Sequence, residues 1–167
     1  MKLFRTILPF MIVSLLFLIT GFILISITDK ALLHLSANAF VGGSADTFFK
    51  YFTHIGDGLT VAILIVLASL TAKKKIIPYA LLGLVSFGLS GLVAQFFKRV
   101  VFSDAARPLK YFGEEQLKLI EGVKLHGSYS FPSGHSTASF ALFIFLAFVF
   151  NKHRYVQVIC AILAILA

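Results

Sequence analysis

The chain has 167 residues, 59% hydrophobic and 13% charged, with a formal net charge of +8. That composition excludes an ordinary soluble domain, and recurring apolar runs of bilayer length define an all-α, polytopic membrane protein. The charge does not point to nucleic acid, because no nucleic-acid motif accompanies it; in a membrane chain basic residues mark topology and lipid contacts.

The first predicted span is ILPFMIVSLLFLITGFILISIT, residues 7–28, preceded by Lys2 and Arg5. It exceeds the apolar core of a signal peptide, and the small-residue SANA lies beyond Asp29 and Lys30, so it reads as an uncleaved helix. Residues 29–51 read as a mixed loop, with the turn signal VGGSAD and the interfacial aromatics FFKYF. The second span is placed at 52–72, with THIGDG at headgroup level and KKK ending it. Within THIGDG, His54 and Asp57 are able to pair, but a turn with a helix N-cap is the preferred reading. The third span is 76–97, whose Gly83, Ser86, Gly88, Ser90 and Gly91 predict close helix contact.

A long polar loop, 98–131, follows, and its EEQLKLIEGVKL predicts a short amphipathic helix on the membrane surface. The fourth span is 132–150. The last run, 155–167, holds Cys160, which can form no intrachain disulfide. Its thirteen residues are too few to cross, and the expectation is a truncated fifth span. Charge gives the orientation. Segments 1–6, 73–75 and 151–154 carry seven Lys and Arg and no acid, so they face inward, and the 98–131 loop faces outward.

Two polar clusters share the outer face. One is FKRVVFSDAARPLKYF, with Lys98, Arg99 and Arg107-Pro108; the other is FPSGH, with Ser133, Gly134 and His135. Arginine forks and lysine charges suit phosphate oxygens. Pro132 suits the first turn of a helix, whose free N–H groups at 133–135 would face an anion. Gly134 lets an oxyanion approach the backbone, and His135 is of the residue type that can protonate a leaving oxygen. The residues describe a phosphate pocket with a general acid at a membrane surface. Asp104 reads as a local neutraliser and His126 as a solvated loop histidine.

The pattern of a basic residue and Arg-Pro followed by PSGH, on one outer face, resembles the type-2 phosphatidic acid phosphatase superfamily of membrane lipid phosphatases. The resemblance implies a six-helix bundle working without metal or other cofactor. It implies that Lys98 and Arg107 clamp the phosphate, that Ser133 and Gly134 bind it, and that His135 protonates the leaving group. The spacing from Lys98 to Arg107 is longer than the family's usual first motif, and Arg99 stands one residue nearer; which of the two fills the role is open, with Lys98 favoured. The family's third motif, whose histidine forms a phosphohistidine, is not among these residues, and is expected beyond them, so that the chain alone is expected to be inactive.

The implied activity is hydrolysis of a lipid phosphate or polyprenyl diphosphate in a bilayer, with a bacterial inner membrane expected, the N-terminus cytoplasmic and the site facing the periplasm or exterior. A lipid phosphotransferase of the same mechanism and a non-catalytic lipid-phosphate-binding protein are the alternatives. A pore or transporter has little support, since no predicted span has an ionisable residue near its centre.

Overall fold

The computed structural model describes residues 6–40, 42–120 and 127–167, and among these the chain is helical with no strand. Helix α1, Leu8–Ile27, opens with Pro9 in its first turn, where the missing N–H costs nothing. Its surface is apolar nearly all round, with Leu15, Leu16, Phe22 and Ile27 exposed, as suits a helix facing lipid.

The segment expected as a mixed loop is instead two helices, α2 (Lys30–Ala39) and α3 (Ser44–Phe52). Local side chains start them: Asp29 caps α2 by accepting from the Leu32 N–H at 2.9 Å, and Asp46 accepts from the Gly42 N–H at 2.8 Å. Helix α2 buries no side chain. It is held from outside by the polar loop, where the Lys118 N–H donates to Asn38 Oδ1 (2.7 Å), Asn38 Nδ2 to the Lys118 carbonyl (3.1 Å) and Lys118 Nζ to the Ala39 carbonyl (2.9 Å). His34 stacks on Phe112 at 5.4 Å. The amphipathic helix expected at 114–125 is not found at 114–120, where these backbone bonds draw the chain out along α2; its remaining residues, and His126, lie outside the described residues.

The predicted second span is not one straight helix. A 3₁₀ turn, Thr53–Gly56, continues from α3, and α4 (Gly58–Leu70) leaves it at 68°. The break falls at Asp57, whose extended backbone cannot continue a helix. Helix α5, Ile76–Phe96, is lengthened by a 3₁₀ turn at Lys73–Lys75 and a π turn at Phe97–Val101 into a rod of 29 residues. By length and composition α1 and this rod can cross a membrane, with a third crossing if the bent pair is one span. A short helix α6, Pro108–Phe112, lies in the polar loop; α7 (Gly134–Val149) and α8 (Arg154–Leu166) complete the fold. At 1.5 Å per residue the 13 residues of α8 reach about 20 Å, short of the ~30 Å hydrocarbon layer. The architecture fits a membrane helical bundle.

Helix α7 is its centre, packed against α4, α5 and α8, while α1 closes on α8. One core cluster joins Phe10, Phe143, Ala147, Cys160, Ala161 and Ala164. The other joins Val61, Ile65, Ala68, Ala138, Leu142 and Phe145. Gly83 lets α5 reach both neighbours: a Cβ there would stand 2.5 Å from Ile65 Cγ2 and 3.0 Å from Phe145 Cε2. At Gly88 and Gly91 a Cβ would meet nothing within 4 Å, so the expected small-residue contact is not made there. At the far end of α7, buried Gln157 ties the segment before α1 to α8 by donating to the Thr6 carbonyl at 2.6 Å.

Candidate active site

The opposite end of the bundle gathers the start of α4, the end of α5 and the start of α7 around one cavity of about 660 Å³. Lys98, Arg107, Ser133, Gly134 and His135 all line it, with Asp57 and Gln95 on the same wall. Arg99 is exposed and is not on the cavity wall. Both residues lie on the π turn that ends the rod, and of the two only Lys98 lies on the cavity wall.

Arg107 has the extended backbone (φ −85°, ψ 160°) that a following proline imposes, and Pro108 then opens α6. Its N–H donates to the Gly127 carbonyl and its Nε to the Ser128 carbonyl, each at 3.1 Å, while the Ser130 N–H donates to the Ala105 carbonyl at 2.9 Å. These bonds fold the two ends of the polar loop together and deliver Arg107 beside PSGH. One guanidinium N–H is spent on Ser128, which leaves the terminal fork for a ligand. Asp104 is exposed and pairs with neither Lys98 nor Arg107.

The PSGH segment differs in register from the expectation. Ser133, not Pro132, begins the turn: it is the N-cap of α7, its hydroxyl accepting from the Ser136 N–H at 3.2 Å. Gly134 and His135 are therefore the first two helical residues, whose N–H groups have no intrahelical carbonyl to bind and sit at the positive end of the helix. A Cβ on Gly134 would meet nothing within 4 Å, so the protein's own packing does not demand glycine there.

The histidine has a partner that the preferred sequence reading passed over. His135 Nε2 donates to Asp57 Oδ1 at 2.8 Å, and His54 Nδ1 donates to Asp57 Oδ2 at 2.8 Å. Asp57 holds the N-cap position of α4, as the turn reading expected, but its side chain makes no capping bond. The His54 hydrogen bond holds the Asp57 carboxyl below the usual carboxylate range against the opposing effect of desolvation, with the His135 hydrogen bond adding to it. All three side chains are roughly half exposed, and the group is one carboxylate between two imidazoles rather than a converging ligand set. Gly56 allows the approach: a Cβ there would lie 2.8 Å from the His135 carbonyl oxygen and 2.8 Å from Ser139 Oγ. The spacing of His54 and Asp57 was visible in the sequence, but nothing local tied it to a residue 78 positions away.

A second, almost purely apolar cavity of about 630 Å³ adjoins the first, with Ala94 in both walls. Val93, Phe97, Phe102, Phe131 and Pro132 line it.

A helical bundle in which basic side chains, a helix N-terminus and a histidine line one cavity has the donors that suit a phosphate. The family model of the PAP2 superfamily matches residues 79–167, more than half of the chain, and the chain belongs to that superfamily. Its members are phosphatases, which gives this protein a general hydrolase role. Searches of curated proteins and of solved structures found no match.

Proposed function

We propose that this protein is an integral membrane phosphatase that removes phosphate from a lipid phosphate or polyprenyl diphosphate at the outward face. The observation that carries the reading is the convergence of Lys98, Arg107, Ser133, Gly134 and His135 on one cavity that adjoins an apolar groove. Lys98, the Arg107 fork and the amides of Gly134 and His135 bind the phosphate oxygens and stabilise the charge that spreads over them in the transition state. His135 protonates the departing oxygen. The groove takes the first part of the hydrocarbon chain. In the family mechanism a histidine attacks phosphorus in line and is released by water; residues 1–167 supply the clamp and the acid.

The test is phosphate release by the protein as its native host makes it, solubilised in detergent with a chelator present. Lys98→Ala and Arg107→Ala each lower kcat/KM on a lipid phosphate by about 10²–10³-fold, as for removal of one transition-state charge contact, whereas Arg99→Ala stays within about threefold. Equal losses at Arg99 and Lys98, or none at Arg107, would refute the clamp. The lipid assignment has its own measurement. Val93 is 56% exposed on the groove wall, so Val93→Trp fills the groove without disturbing a core. It raises KM about tenfold for long-chain phosphates, the worth of about two buried methylenes, and leaves short, soluble phosphates unchanged. A KM independent of chain length in both proteins would remove the groove from substrate binding.

A further inference from the structure

We infer that Asp57 is a positioning residue for His135: it holds the imidazole by Nε2 and leaves Nδ1 as the nitrogen that exchanges a proton with the substrate. The inference rests on the acid role proposed for His135 and adds a residue to which that role assigns nothing.

Three observations carry it. First, a carboxylate only accepts, so the 2.8 Å contact requires the proton to be on Nε2 of His135, and Nδ1 is the nitrogen left over. Second, Asp57 occupies a helix N-cap and forgoes the capping bond that stabilises a helix start, while both of its oxygens bind imidazoles. A local rule broken in this way marks a functional position, and an exposed pair of this kind contributes little to stability. Third, the contact is built in: Gly56 brings the turn against the His135 backbone itself, and His54 fixes the second carboxylate oxygen. In the charged ring, Nδ1–H passes to the leaving oxygen as its bond to phosphorus breaks. The ring is left neutral with Nε2–H still on Asp57, and it regains its proton at Nδ1 from solvent before the next turnover.

The experiment compares two short, soluble substrates: an alkyl phosphate, whose leaving oxygen needs a proton, and 4-nitrophenyl phosphate, whose leaving group departs without one. Asp57→Ala lowers kcat on the alkyl phosphate about 10–100-fold, the usual cost of removing a residue that orients another, and changes kcat on the aryl phosphate by less than about threefold. His135→Ala shows the same selectivity with a larger loss, and the double variant is no worse than His135→Ala alone, as for residues acting as a unit. Asp57→Asn, which keeps the side chain's shape, repeats the selectivity and serves where the alanine variant does not fold. Equal losses on the two substrates in the Asp57 variants, or losses that add to those of His135→Ala, overturn the inference while the acid role stands. Absence of selectivity in His135→Ala itself overturns the acid role and the inference with it.

Discussion

Replacing His135 by Ala lowers phosphate release from a lipid phosphate by about 10²–10⁴-fold, the range for losing a positioned general acid. The effect is on kcat, because the side chain is needed when the leaving oxygen develops charge, while Lys98, Arg107 and the amides at the start of α7 still bind the ground-state phosphate. The side chain is about half exposed and reaches the fold through Asp57, so its removal costs little stability, within about 0.5–1 kcal/mol for a site away from the core. The buried part of α7 begins three residues later at Ala138 and continues through Leu142 and Phe145. Circular dichroism and the detergent-solubilised elution volume therefore match the parent protein. Turnover near the parent value in a folded His135→Ala protein would remove His135 from the chemistry.

Gly56→Ala is the second large effect, and it acts through the backbone. The new methyl group would stand 2.8 Å from the His135 carbonyl oxygen and 3.0 Å from its Cα. Neither atom can move without moving the first turn of α7, so the 3₁₀ turn at Thr53–Gly56 retreats instead. Overpacking of this kind costs about 1–3 kcal/mol, and the retreat carries Asp57, the next residue, away from His135. The expected result is a lower thermal midpoint together with the Asp57→Ala pattern, a loss on alkyl phosphates that spares aryl phosphates. Gly58→Ala is the control two residues on: a Cβ there makes only an ordinary 3.6 Å contact with Phe87, and stability and selectivity stay at parent values. A Gly56→Ala protein as active and stable as the parent would mean that the turn does not press on α7 in the membrane.

Much of this was written locally in the chain. The apolar runs of α1 and α5 announce themselves by length, because a helix must satisfy its own backbone in lipid and needs about 20 residues to cross. Arg107-Pro108 and PSGH were legible because their conformations are local too: proline extends the residue before it, and a serine caps the helix it precedes. The family was readable from those same residues, and the family match bears it out.

The sequence did not decide what the ends of the helices meet. Helices α2 and α3 passed as a loop because α2 buries nothing and leans on Lys118, 80 residues from its partner Asn38. Lys98 and Arg99 are neighbours in the chain, and only the rotation of α5 as docked on α7 puts one of them on the cavity wall. Asp57 looked like a cap because a cap is the local use of an aspartate before an apolar helix. The carboxylate turns to His135 because the packing of α4 on α7, through Ile65, Leu142 and Phe145 below and Gly56 above, brings two helix starts side by side. Periodicity and capping act over a few residues and so can be read along the chain, whereas the pairing of helix ends is set by docked surfaces and exists only in the folded protein.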